Sequence, residues 1–197
     1  FGVRPRPSAW WVLRVPCSID LLEPVGSDAV LFGEVQSETG GDALHVGALR
    51  VRPSPALTAI ESVARTSVSE SRTQAFNYRR DGGESFTFAL PTSRVASLPR
   101  DERGTPTEQL SFFGLEGGRL APLGGLDVAP PEPRQAEGCS VSCYDWYGSV
   151  RAIFLDGRLL GLLDYDLAEA VLERGRIVEL QRTSGLDDGG GLSSTVP

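Results

Sequence analysis

Val150-Arg-Ala-Ile-Phe-Leu155, then Asp156-Gly157, then Arg158-Leu-Leu-Gly-Leu-Leu-Asp164 is the stretch whose reading decides the fold. Two short apolar-alternating runs flank an Asp-Gly pair. Such a pair is a strong hairpin signal, because both residues of the tight turn that suits twisted strands take positive φ. The pattern continues at once, as Leu167–Glu173 meets Arg174-Gly175 before Arg176–Arg182. Upstream, Thr73–Arg79, Asp81-Gly82-Gly83, Glu84–Thr92, Glu108–Glu116, Gly117-Gly118 and Arg119–Leu126 make a second copy. A looser first copy runs through Ile19–Val25, Gly26-Ser27-Asp28, Ala29–Gln36, Ala43–Val51 and Ala56–Ala64. Each copy predicts four antiparallel strands in a meander, and self-similarity at this period predicts stacked all-β units.

One segment competes with that reading. Asp166 is a good cap for a short helix over Leu167–Arg174, with Ala168, Glu169, Ala170 and Leu172 as helix formers and Gly175 past its end. Its place in the repeat, ahead of Arg176-Ile-Val-Glu-Leu, predicts a strand, since tertiary pairing overrides local propensity. Arg52-Pro53-Ser54-Pro55 reads as a turn or an edge, because Pro gives no donor to a ladder. Residues 1–9 read as an extended segment and 10–183 as the β units, at about 10–64, 70–126 and 144–183. Asp127–Gly138 reads as a Pro-stiffened linker, Pro91–Pro106 as a long polar loop, and 184–197 as a disordered tail.

The chain has 197 residues, a net charge of −7, 23 Gly, 14 Pro, no Met and one histidine, His45; all its basic residues are Arg. The acidic balance and the lack of a basic run argue against a nucleic-acid partner. No apolar stretch approaches the ~18 residues a helical span needs. Without Lys there is no Schiff base and no phosphate-loop lysine, and a single His removes multi-histidine zinc sites. No cofactor is expected. The N-terminus, Phe1-Gly-Val-Arg-Pro-Arg-Pro, reads as a processed or truncated end.

Ser71-Arg-Thr-Gln-Ala-Phe-Asn-Tyr-Arg-Arg-Asp-Gly, Cys139-Ser-Val-Ser-Cys-Tyr-Asp-Trp-Tyr-Gly and Asp156-Gly-Arg-Leu-Leu-Gly-Leu-Leu-Asp-Tyr-Asp carry a resemblance. With them the chain resembles bacterial secreted β-propeller repeat proteins with blades like those of the WD40 and Kelch types. The resemblance implies an all-β fold of four-stranded antiparallel meanders stacked as propeller blades. It also implies a secreted or periplasmic setting. Three units are fewer than the four to eight blades that close a ring. The expectation is therefore an incomplete propeller, the C-terminal part of a longer one or one that pairs with a second copy of itself.

Several residues are candidates for chemistry. Tyr144, Asp145, Trp146 and Tyr147 form the densest aromatic cluster, suited to stacking on a sugar or anchoring a protein, or simply to packing between repeats. Cys139 and Cys143 suit a small disulfide in an exported protein, with two separate thiols, or a metal or redox site, as the alternatives. Cys17 reads as a buried small hydrophobe. Arg72 and Arg79, with Arg80, form a basic patch beside Tyr78 that could grip a carboxylate or be simply a solvated hairpin end. Asp164 and Asp166, read as one strand, would face the same side and could hold an ion, solvated turn residues being the alternative. The functional expectation is an extracytoplasmic binding or scaffolding module that meets a protein or glycan surface. The alternatives are a glycan hydrolase using Asp145, Asp164 or Asp166, and a purely structural domain of a larger protein.

Overall fold

The computed structural model describes residues 12–37, 41–95, 106–128 and 150–184. Apart from a 3-10 turn at Thr73–Ala75, these residues form antiparallel strands and their connections. The first sheet is a plain meander of β1 (Leu21–Val25), β2 (Asp28–Ser37), β3 (Gly41–Arg50) and β4 (Ala56–Ala64). The middle sheet holds β5 (Thr66–Val68), β6 (Asn77–Gly82), β7 (Ser85–Val95), β8 (Pro106–Glu116) and β9 (Arg119–Asp127). The third is again a meander: β10 (Val150–Leu155), β11 (Arg158–Leu163), β12 (Asp166–Glu173) and β13 (Arg176–Ser184). The all-β expectation holds, as does the strand reading of Leu167–Glu173. The three sheets do not close on one another.

Turn chemistry explains the hairpins. Gly117-Gly118, Asp156-Gly157 and Arg174-Gly175 all have both residues at positive φ, the two-residue turn whose twist matches its flanking strands. Register then follows from the turn, with Leu155 opposite Arg158 and Glu173 opposite Arg176.

Two apolar layers hold the sheets together. Leu21, Val25, Val30, Phe32, Leu44 and Val46 of the first sheet meet Phe86, Phe88, Leu90, Phe113 and Leu115 of the middle one. On the other face, Ala89, Leu110, Phe112, Leu123 and Leu126 meet Val150, Ala152, Leu159, Leu163, Ala168 and Ala170. The middle sheet is thus covered on both sides. That is why Ser85–Val95 lacks an exposed face along most of its length, whereas β1 alternates buried and exposed residues. A bulge opposite Phe112 and Phe113 shifts the register of β9, so Leu120 packs with the first layer and Leu123 with the second.

The middle sheet departs from the sequence reading in three places. β7 runs through Pro91 to Val95, so the polar loop begins later than expected. The segment Thr73–Arg79 is not one strand, because its first half closes a turn in which Ala75 N–H donates to the Arg72 carbonyl at 3.0 Å. Residues 66–68, which fall between the first two units of the sequence reading, supply the other half of that edge. β6 pairs with β7 up to Ala89, and β5 takes over from Thr92. Leu90 and Pro91 fall in the gap. A proline there has no N–H to leave unpaired, so the break in the edge and Pro91 suit each other.

Candidate functional site

The turns at Gly26-Ser27, Gly83-Glu84, Gly117-Gly118, Asp156-Gly157 and Arg174-Gly175 all join strands at one end of the stack. At that end a cleft of about 410 Å³ opens between the first and middle sheets. Its floor is Val25, Ala48, Phe86 and Leu115, and its polar rim is Asp28, Thr58, Arg80 and Glu84. The size lies within the range of small-ligand sites, ~300–1,000 Å³.

Local structure sets each rim group. Gly26 has φ +61°, and a side chain there would come within 2.5 Å of Phe86 Cζ, so the turn must be bare for the ring to sit beneath it. Asp28 opens β2, and its Oδ1 accepts the Val51 N–H at 3.0 Å, tying the β3–β4 turn to the rim. Thr58 is the extra residue of a bulge in β4, and its hydroxyl donates to the Ala48 carbonyl at 3.1 Å. Arg80 Nε donates to the Gly83 carbonyl at 2.7 Å, and its guanidinium carbon lies 5.6 Å from the Phe86 ring centre. That fixes the plane of the fork, and among the described residues no hydrogen bond takes either terminal nitrogen. A planar fork in this state is matched to a carboxylate. Asp28 and Glu84 add negative charge beside it, so the rim suits a ligand with both polarities better than a bare anion.

The predicted site residues fall elsewhere. Tyr144, Asp145, Trp146, Tyr147, Cys139 and Cys143 lie outside the described residues. Arg72 binds Glu70, with Nε donating to Oε1 at 2.8 Å, and this holds the Glu70 carboxyl below its usual range. Arg79 joins two sheets. Its Nε meets Asp81 Oδ1 at 2.7 Å, Nη1 donates to the Gly157 carbonyl at 3.3 Å, and its carbon lies 5.4 Å from the Phe154 ring centre. Asp164 and Asp166 are not on one strand. Asp164 sits in the turn at φ 58° and Asp166 begins β12, where it pairs with Arg182 at 3.2 Å. The correction follows from the turn needing two residues, Asp164 and Tyr165, between Leu163 and its partner Asp166. Among the described residues no three of His, Cys, Asp or Glu are grouped to hold a metal ion. No helix among them is long and apolar enough to cross a membrane.

Cys17 is a half-buried free thiol, and burial, then the Asp20 charge, push it above its usual range. A thiol so shifted is a poor nucleophile. Glu23 is the unexpected group. It shares the inward side of β1 with Leu21 and Val25, is 9% exposed, and its Oε1 has no hydrogen-bond partner among the described residues. Burial pushes its carboxyl up. A carboxyl raised in the folded state leaves stability intact below the ordinary Glu range and erodes it as pH rises through and above that range. Glu23→Gln is therefore expected to be more stable than wild type at about pH 7 and to lose that advantage by about pH 3. Urea midpoints across that interval test the sign, and a constant difference would refute it.

No protein-family model matches the chain, and no curated protein or solved structure is significantly similar to it.

Proposed function

We propose that the chain is a binding or scaffolding module of β-propeller type, working outside the cytoplasm, whose turn-end cleft seats a polypeptide segment bearing a carboxylate. Face-to-face stacking of antiparallel meanders, with tight turns gathered at one end, is the arrangement expected of consecutive blades. The extracytoplasmic setting rests on the resemblance of the repeats. The observation that carries the reading is Arg80, braced by Gly83 and stacked on Phe86 at the mouth of the cleft. Loops and turns held by a rigid sheet scaffold are the usual place for recognition.

The test uses N-acetylated dipeptides with free C-terminal carboxylates, and the same peptides as C-terminal amides, titrated to about 10 mM with amide shifts followed by NMR. The acids are expected to move the amides of Gly26, Ser27, Glu84 and Gly118. The amides of the peptides, and the Arg80→Gln variant, are expected to bind at least about fivefold more weakly. Shifts that are absent, scattered, or equal for acid and amide would overturn the reading.

A further inference from the structure

The turn-end cleft sets a hydrocarbon floor under a rim of uneven charge. Val25, Ala48, Phe86 and Leu115 are all buried, and the rim carries one cation, Arg80, against two anions, Asp28 and Glu84. Arg80 and Glu84 flank Phe86 on one hairpin, Arg80 opposite it on β6 and Glu84 two residues ahead of it in the turn. Asp28 stands on the other sheet, at the start of β2. The Val51 N–H engages Asp28 Oδ1, and among the described residues no hydrogen bond or ion pair takes Oδ2 or the Glu84 carboxylate. Arg72, Arg79, Arg158 and Arg182 each pair with a carboxylate of the chain. Arg80 makes no such pair among the described residues, although two acids line the same cleft. A ligand that answers both signs must therefore carry them apart, with apolar matter between.

Resting on the reading of this cleft as a seat for a carboxylate-bearing polypeptide, we infer that its occupant is a chain terminus ending in lysine or arginine. The α-carboxylate meets the Arg80 fork, the aliphatic stem lies over Phe86 and Leu115, and the cationic head reaches Asp28 and Glu84. Long basic side chains are built for this, since their stems cover apolar surface while the charge stays wet. A volume of about 410 Å³ is toward the low end for a ligand site, so it takes the last residue or two of a chain and not a through-running strand. The rim sums to one negative charge. An apolar or acidic terminus adds only negative charge to it, whereas a terminus ending in a basic residue brings its cation to the side where the anions stand. A free apolar amino acid holds its two charges on one carbon and cannot span from Arg80 to Asp28 across the floor.

The test compares N-acetyl-alanyl-lysine with N-acetyl-alanyl-norleucine, which keeps the stem and the carboxylate and lacks the ammonium, by amide shifts of the full chain at low salt. The lysine peptide should bind at least about threefold more tightly. That margin should shrink at about 0.5 M salt, because the head group meets its acids at a wet rim. Glu84→Gln, at an exposed turn residue, combined with Asp28→Asn, which keeps an acceptor for the Val51 N–H, should abolish the margin without weakening the norleucine peptide. Equal binding of the two peptides overturns the inference. So does a margin that survives in the double variant, or free norleucine binding more tightly than the lysine peptide. The carboxylate reading is judged separately, by the acid against the amide of the norleucine peptide. Acid preferred over amide with no preference for lysine sinks this inference and leaves that reading standing; acid and amide bound equally, or not at all, removes both.

Discussion

Phe88→Ala should cost about 3–5 kcal/mol, a large share of the roughly 5–15 kcal/mol that holds a domain folded. Phe88 is fully buried on β7, at the centre of the layer between the first and middle sheets. Its ring lies 5.6 Å from Phe113 in a stacked pair, 5.8 Å from Phe76 and 6.0 Å from Phe32. These neighbours come from the middle sheet, the turn before β6, and the first sheet, so no single element can move in to fill the void. The cost is therefore expected near the top of the range for a phenylalanine truncation. Urea unfolding should show a lower midpoint at unchanged slope, since the same surface is exposed on unfolding. Adding Phe113→Ala should cost less than it does alone, because the stacked partner is already gone. Leu180→Ala, at a residue 60% exposed, is the control and should move the midpoint little. A Phe88→Ala loss below about 1 kcal/mol would mean that the aromatic layer is not the main tie between the first two sheets.

The strands were legible because turn chemistry and period-two alternation are local. Val150–Leu155 and Ala56–Ala64 fall where the residues predict them, and Gly117-Gly118, Asp156-Gly157 and Arg174-Gly175 make the expected turns. The split edge of the middle sheet was not legible. Thr66–Val68 is too short to show a period, and only its pairing with Thr92–Arg94 makes it a strand. Pro91 looked like the end of a strand because a proline usually is one; its tolerance here depends on a gap made by two distant segments. The cleft was hidden for the same reason. Arg80 stood with Arg72 and Arg79 in linear order, yet folding gives Arg79 to the third sheet and Arg80 to a rim shared with Asp28 and Thr58. Neighbours in sequence on a strand point to opposite faces, so a basic run on a strand divides its charge.

Gly33→Ala should be the most damaging of the conservative glycine changes, and its obstacle differs in kind from those elsewhere. The backbone of Gly33 is ordinary extended strand, so conformational strain is not the issue. A β-carbon there would sit 1.6 Å from the Ser18 carbonyl oxygen, 2.8 Å from its carbon and 3.0 Å from Cys17 Sγ. Main chain cannot yield by rotating a side chain, so the lead into β1 must lift away. Lifting it breaks Ser18 Oγ–H to the Glu34 carbonyl at 3.0 Å and Glu34 N–H to Ser18 Oγ at 3.3 Å, and strains Asp20 N–H to the Phe32 carbonyl at 2.9 Å. At about 0.5–1.5 kcal/mol for each net bond, the loss should come to about 2–4 kcal/mol. Gly47→Ala makes the informative comparison. There the added methyl would meet Leu31 Cγ at 2.8 Å, a side chain that can shift, and the cost should be smaller by at least about 1 kcal/mol. Hydrogen exchange separates local from global damage: in Gly33→Ala the Glu34 amide should lose protection well before the amides of Phe88 and Phe113, because the lead is peeled from an edge while the aromatic layer stays packed. Equal costs for the two variants, or protection at Glu34 unchanged, would mean that Ser18 does not lie across β2 in solution.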